Sequence, residues 1–330
     1  AKNTYNFDRV EFIVIRDREM VYEKFKSGEL DWYQVGMARR WIEDIPKEQN
    51  ITKGYIQKRK IWNQQPVGYS GLCFNMRKPP FDDIKVRMAF AHLFNREMLM
   101  EKLFFNEYEY TNSIFPGRDW GSGNDRPRVE YDPDYAEELL EEAGYEDRDD
   151  EGYLIDADGK RLEVTLEYAN QGWERIWLPV KEDFEEAGVK FNLKLLDPST
   201  LMKKISERQF TIHFQSWGAL LFPNPETSWR SSLADKHYNN NIPGFKSDEV
   251  DDLCQEYNRV LDRAGQKAIT RKIDELVCEQ FPYAFAWHSN FFRVLFWDRF
   301  GHPETYVTRI GDQLNEQMLL LWWFDVDRQK

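Results

Sequence analysis

The chain has 330 residues, 31% of them charged, with a formal net charge of −13 and a mean hydropathy of −0.73. This acidic balance excludes an electrostatic reader of nucleic acid or of an anionic membrane surface, both of which need clustered Lys and Arg. No apolar run approaches the ~20 residues of a membrane-spanning helix; the longest, QMLLLWWF at 317–324, is of strand length.

In chain order, RVEFIVI (9–15) has the β-branched and aromatic content of a strand. Asp17 can cap the helix that follows, and Gly28 is its stop. ELDW then opens a second short strand, so the segment predicts a βαβ unit with a parallel pair. The opening AKNTYNFDRVEF carries no signal-peptide pattern and reads as the middle of a protein. GYSGLCFNM (68–76) predicts a strand, and the stretch from Asp82 or Asp83 to Phe104 predicts one long helix. On that helix Val86, Ala89, Phe90, Leu93 and Phe94 keep the spacing of a single buried face. His92 lies beside this stripe and reads as a packed or surface histidine.

A Gly- and Pro-rich loop covers 111–133, and Asp132-Pro133 opens a helix that closes at Gly144. Residues 150–168 read as a hairpin turning at Asp158-Gly159. A βαβαβ run follows: a strand at Leu162–Tyr168, a helix at 173–187, a strand from Val189 to Leu195, a helix from Pro198, and a strand at 210–217. Two further helices, beginning at Ser247 and Ala264, precede YAFAWHSNFFRVLFW (283–297), a strand long enough to leave one domain and enter another.

Cys73, Cys254 and Cys278 form no C-x-x-C pair, which argues against zinc. Cys254 and Cys278 fall on neighbouring helices where they could meet, although three buried free thiols is the simpler expectation. The five histidines have no metal-ligand spacing, and no P-loop, G-x-S-x-G, H-E-x-x-H or G-x-G-x-x-G is present. No metal, cofactor or catalytic residue is therefore expected.

Binding is the function class left. Aromatic residues make up 15% of the chain, with 12 Trp, more than a core alone calls for. In α/β domains ligands settle outside the carboxyl ends of strands. WGALLFPNPETSW (217–229) follows such an end, so Trp217 is placed as a stacking wall, with Asn224, Glu226 and Asn239 to Asn241 as hydrogen-bonding candidates. Phe222 and Trp229 read better as wedges holding the loop to the domain body. A glycan-binding protein or glycan hydrolase with a Trp-lined cleft is the alternative, and two facing carboxylates about 5–10 Å apart would favour the hydrolase.

The order of these segments resembles one family, the extracellular solute-binding proteins of oligopeptide and dipeptide ABC importers (family 5). The matching stretches are YNFDRVEF…KSGELDW, YSGLCFNMRKPPFDDIKVRMAFAHLFNREM, YDPDYAEELLEEAGY, LPVKEDFEEAGVKFNLKLLD, FTIHFQSWG and NNNIPGFKSDEVDDL. The resemblance implies an α/β fold of the type II periplasmic binding protein kind, with a complete second lobe and part of the first. Residues 1–68 would belong to lobe I, 69–288 would form lobe II, and 289–330 would return to lobe I. It further implies a periplasmic or membrane-anchored extracellular monomer that captures a peptide-like solute in an inter-lobe cleft and delivers it to membrane permease subunits. Trp217 matches the family's ligand-packing tryptophan. Leu220 stands where peptide binders carry the acid that pairs with the peptide's amino group, and Glu226 is the candidate replacement. FPNPETSW is closer to the microcin C-type branch. Tyr69, Asn75, Tyr168 and Asn170 are further cleft candidates.

Overall fold

The computed structural model describes residues 4–116, 119–123, 126–311 and 314–328. Its main strands are β1 (Trp32–Gln34), β2 (Ile56–Trp62), β3 (Ser70–Phe74), β4 (Glu163–Tyr168), β5 (Lys190–Leu195), β6 (Ile212–Ser216), β7 (Tyr283–Phe285) and β8 (Phe291–Trp297). Its main helices are α1 (Arg18–Lys26), α2 (Ile84–Leu93), α3 (Pro133–Glu142), α4 (Glu174–Glu186), α5 (Pro198–Ser206), α6 (Asp248–Arg259), α7 (Arg263–Glu279) and α8 (Leu314–Leu321). The chain divides into two compact units: Ala1–Gln65 with Lys102–Glu107 and Ser289–Lys330, and Pro66–Glu101 with Tyr108–His288.

Unit 1 is built on an antiparallel sheet in the order β1-β8-β2. Alternation along β8 sends Leu295 to one face, with Tyr22, Phe25, Trp41 and Ile56, and Val294 and Phe296 to the other, with Phe300, Met318 and Trp322. Asp17 caps α1 through Glu19 N (2.8 Å) and Met20 N (2.9 Å), and Gly28 takes the left-handed conformation after it at φ +84°. The predicted βαβ unit does not form. Residues 9–15 form no regular element and pair with no strand among the described residues, and Val14 is 90% exposed. β1 pairs antiparallel with β8 instead. Alternation reports an extended backbone and says nothing about its partner. The apolar run at 317–324 is also mostly helix, because Leu314, Met318 and Trp322 recur every four residues on one buried face.

Unit 2 carries a five-stranded sheet in the order β7-β3-β6-β4-β5. β4 runs parallel to β5 and β6, while β3 is antiparallel to β6 and β7. On one face a chain of rings, Phe74–Phe81–Phe90–Phe184–Phe191, links β3, α2, α4 and β5 at centroid spacings of 4.6–4.9 Å. On the other, Cys73, Phe210 and Tyr283 pack with Val250, Cys254, Ile273 and Val277 of α6 and α7. All three cysteines are free and buried, so Cys254 and Cys278 do not pair.

The helix predicted through Phe104 breaks after Leu93. Asn95 accepts from Met98 N (3.1 Å) and starts a new, irregular turn. The turn at Asp156–Gly159 is present, with Gly159 at φ +77°. The hairpin across that turn, however, is reduced to one bridge, Ile155 with Arg161, because β4 joins the parallel sheet; Leu154 and Ile155 pair instead with Asp147 and Arg148 before them. Residues 283–297 are three separate pieces, and the division between units falls between His288 and Ser289. Residues 117, 118, 124 and 125 of the predicted 111–133 loop lie outside the described residues.

Candidate functional site

The strand directions gather four carboxyl ends at one edge of the unit 2 sheet: β4 at Tyr168, β5 at Leu195, β6 at Ser216 and β7 at Phe285. β3 enters at that same edge, with Ser70 opposite Ser216. Such an edge is the usual ligand position in open α/β sheets.

Trp217 leaves β6 there and is held at three points. Its backbone N–H donates to Tyr69 O (2.8 Å), its Nε1–H donates to Tyr283 Oη (3.1 Å), and its ring tilts against Tyr69 at 6.5 Å. Tyr69 meets Tyr283 and Phe285 edge-on at 5.4 and 5.9 Å. Burial pushes the Tyr69 and Tyr283 hydroxyls well above their ordinary pKa, so both stay neutral. Trp217 itself remains partly exposed, its polar atom satisfied internally and part of its ring left accessible.

Gly68 makes this approach possible. A Cβ at that position would stand 1.6 Å from Trp217 O and 2.5 Å from its carbonyl carbon. Gly68→Ala is therefore expected to displace the Trp217 backbone and destabilise unit 2 by about 2–3 kcal/mol, the usual scale of overpacking. Urea unfolding measures this, and a loss below ~0.5 kcal/mol, the level of an ordinary surface change, would contradict it.

The structure brings together some of the candidates from sequence and separates others. Trp217 and Tyr69 are in contact. Tyr168 ends β4 at the same edge but is 8% exposed, and the nearby Asn170 caps a short turn through Gly172 N (3.0 Å) with its side chain exposed. Asn224 is exposed on the 217–229 loop. Glu226 is occupied: Arg230 donates to Oε1, and Asn258 Nδ2 donates to Oε2 at 2.8 Å.

Asn75 and Asn241 are misplaced by the sequence reading. β3 runs antiparallel, so Asn75 lies at the opposite end of that strand from Tyr69. Its amide donates to Arg208 O and Phe210 O and accepts from Arg77. Asn241 is fully buried, and both amide ends are used: it donates to Arg230 O and Phe245 O and accepts from Gly244 N and Phe245 N. Arg77 ties the two regions together by donating to Asn75 Oδ1, Ala234 O, Ile242 O and Asn241 O. Both asparagines hold loops in place at the far end of the sheet.

Trp229 is a buried wedge, edge-on to Phe245 at 5.6 Å. Phe222 is only half a wedge: it contacts Trp120 edge-on, yet stays 55% exposed, and Leu220 is 67% exposed. Trp173, Phe214 and Trp287 went unnoticed in the sequence, although all three are partly exposed near this edge. The signal was available in β6: Phe214 and Trp217 have opposite parity on one strand, so their rings emerge on opposite faces. Among the described residues no group of three or more His, Cys, Asp or Glu side chains could hold a metal ion.

Residues 1–240 match the sequence profile described as bacterial extracellular solute-binding proteins, family 5 Middle. The chain is 23% identical over 371 residues to the uncharacterized protein YejA of Escherichia coli, covering 99% of this chain and 58% of that protein. It shares its fold with the oligopeptide-binding protein AppA of Bacillus subtilis, solved with a nonapeptide, at a TM-score of 0.77 and 21% identity over 94% of this chain and 59% of that one. The periplasmic binding protein DppA of Helicobacter pylori, solved with the peptide STSA, superposes with a TM-score of 0.74 at 19% identity, covering 93% and 55% of the two chains. The mixed α/β architecture is thus of the type II periplasmic binding protein kind. The chain spans a little over half the length of the curated relatives it matches, 52–58% for the first three.

Proposed function

Because the chain belongs to the bacterial extracellular solute-binding proteins of family 5, we propose that it is the substrate-binding part of an ABC importer that takes up a peptide-like or modified-peptide solute. In this reading residues 69–288 supply one lobe, while 1–68 and 289–330 belong to the other. The protein acts as a monomer outside the cytoplasmic membrane, in the periplasm or anchored at the cell surface. It passes its solute to permease subunits without cofactor, metal or chemistry on the solute.

The observation that carries the reading is Trp217. It is fixed by Tyr69, Tyr283 and the gap at Gly68, and it presents a partly exposed ring at the carboxyl edge of the sheet. A ring immobilised before the solute arrives loses little entropy on binding. The modified-peptide part rests on the loop that follows. Its only acid, Glu226, is already paired with Arg230 and Asn258, and Leu220 is exposed. The loop thus favours a solute whose amino terminus is blocked or read elsewhere.

Calorimetric titration with free and N-acetylated peptides of three to nine residues, alongside mannose and glucose oligosaccharides, tests this. Peptides are expected to bind, N-acetylation to cost less than about threefold, and Trp217→Ala to weaken binding about tenfold, the scale of a lost aromatic contact. Binding and cleavage of an oligosaccharide, with no peptide bound, would overturn the reading.

A further inference from the structure

Around the carboxyl end of β6, on the face away from Trp217, lies a second group of rings. Phe214 stacks beside Trp287 with centroids 5.5 Å apart and planes 29° apart, and Trp173 meets Phe214 edge-on at 4.9 Å. These rings come from three places in the chain: the turn before α4, strand β6, and the short strand after β7. Behind them stand two fully buried rings. Trp177 lies 5.6 Å from Trp173 and 5.2 Å from Phe214, and Phe94 lies 6.3 Å from Trp287. The front rings are partly exposed while the rear ones are closed off from solvent.

The bland account is that this group merely tops the hydrophobic core. The residues around it argue for more. On the Phe214 face the sheet steps from Phe214 and Leu72 to Ser216 and Ser70 at the rim, two residues on along β6 and two residues back along β3. Ala286, whose N–H donates to Ser70 O at 2.8 Å, continues the row of small residues on the neighbouring strand. Ser70 and Ala286 are buried, and the Ser70 hydroxyl donates to Trp287 O at 2.7 Å, which fixes the backbone that carries the Trp287 ring; Ser216, next to Phe214's strand end, is exposed. Trp177 and Phe94 hold the front rings from behind, so the surface is formed in advance. Flat groups pair with such rings in offset-stacked or edge-to-face geometry.

We propose that Trp173, Phe214 and Trp287 form a second stacking surface that takes a planar aromatic group of the solute, so that the protein selects peptides or peptide conjugates bearing an aromatic ring. The inference rests on the solute-binding reading above and narrows its substrate class. Phe214 and Trp217 are three residues apart on one extended segment, ~10 Å along the chain. Their rings stand on opposite faces of the sheet, so a solute that meets both passes around its carboxyl edge.

The test is calorimetric titration of the protein with two N-acetylated pentapeptide series, identical except that each position in turn carries tryptophan or cyclohexylalanine. The two side chains are both bulky and apolar, but only tryptophan has a π-face. At one position at least, the tryptophan peptide is expected to bind about 5-fold tighter, the scale of a good aromatic pair. In Phe214→Leu, and separately in Trp287→Leu, the preference should fall below about twofold, again on the scale of one aromatic contact. Circular dichroism and thermal melting identify a variant that has failed to fold, and Trp173→Leu then replaces it. Equal affinity of the two series in the native protein, or a preference that survives in the folded variants, overturns this inference and leaves peptide capture standing. Failure of every peptide to bind overturns the solute-binding reading and this inference with it.

Discussion

Asp274→Ala is expected to cost unit 2 about 3–5 kcal/mol, the scale of removing one partner from a buried charged network. Asp274 lies on α7 with no solvent exposure and gathers the loop that leads to α3. Its carboxylate accepts from Ser113 Oγ (3.0 Å), Ile114 N (2.8 Å), Ser122 N (2.7 Å) and Ser122 Oγ (2.8 Å), and Arg126 stands 4.0 Å away. The Cys278 thiol, one turn further along α7, donates at 3.5 Å. Alanine would strand several buried donors at once, each costing about 1–3 kcal/mol when unsatisfied. In a domain of this size the melting temperature should drop by roughly 10 °C. Asp274→Asn keeps one acceptor oxygen and should fall between alanine and the native protein. Urea unfolding gives the free energies, and limited proteolysis should show the 111–133 loop cut first in the alanine variant. A loss under ~1 kcal/mol would mean that this carboxylate does not hold the loop.

Acidification is expected to destabilise unit 2 from about pH 6.5 downward, and His213 is the main cause. His213 sits mid-sheet on β6 at 1% exposure, edge-on to Phe210 at 4.7 Å, and neither ring nitrogen makes a hydrogen bond of normal geometry. Burial drives its pKa down from 6.5 to about 3, with Arg208 acting in the same direction. Its cross-strand neighbours are Glu167 and Cys73. Glu167 is held by Lys204, and the Cys73 thiol is pushed up to about 12 by burial, so it stays neutral. The unfolded chain takes up a proton near pH 6.5 that the folded chain refuses until about pH 3. Stability is therefore complete above pH 6.5 and declines as pH falls through that window, by about 2 kcal/mol at pH 5. Burial lowers the pKa values of His92 and His288 as well, which adds to the decline with the same sign. His213→Leu should remove most of the slope between pH 7 and 5. It should also raise stability at pH 8 by about 1–2 kcal/mol, since a buried polar group without partners is lost. Urea midpoints at pH 8, 6 and 5 for both proteins measure this, and an unchanged slope in the variant would place the titration elsewhere.

Much of unit 2 was legible because its signals are local. The predicted run from Leu162 to Trp217 is the parallel β4-α4-β5-α5-β6 unit, and helices begin where capping side chains stand, at Asp83, Asp132, Asp197 and Ser247. A cap needs only a side-chain oxygen two or three residues before the N–H it serves. The candidate site was legible only in part. Trp217 and Tyr69 could be placed because a strand end followed by rings is a local pattern. Asn75 reads as a cleft candidate beside Tyr69 because the direction of β3 in the sheet is invisible in its own residues. Asn241 looked like a ligand donor because an Asn-rich loop gives no hint that Arg77, more than 160 residues earlier, will organise it.

What the sequence determined by itself was therefore the set of elements whose causes lie within a turn or a strand: caps, glycine stops, amphipathic periods, and the ring-rich segment after β6. Tertiary structure alone decided which strands pair and in which direction. It left 9–15 without a strand partner among the described residues, joined β1 to β8, and brought Trp173, Phe214 and Trp287 together from three distant segments. The physical reason is range. Backbone hydrogen bonding and side-chain alternation are read one to four residues away, whereas strand partners, shared charges and ring contacts are chosen by burial among groups that only the folded chain brings close.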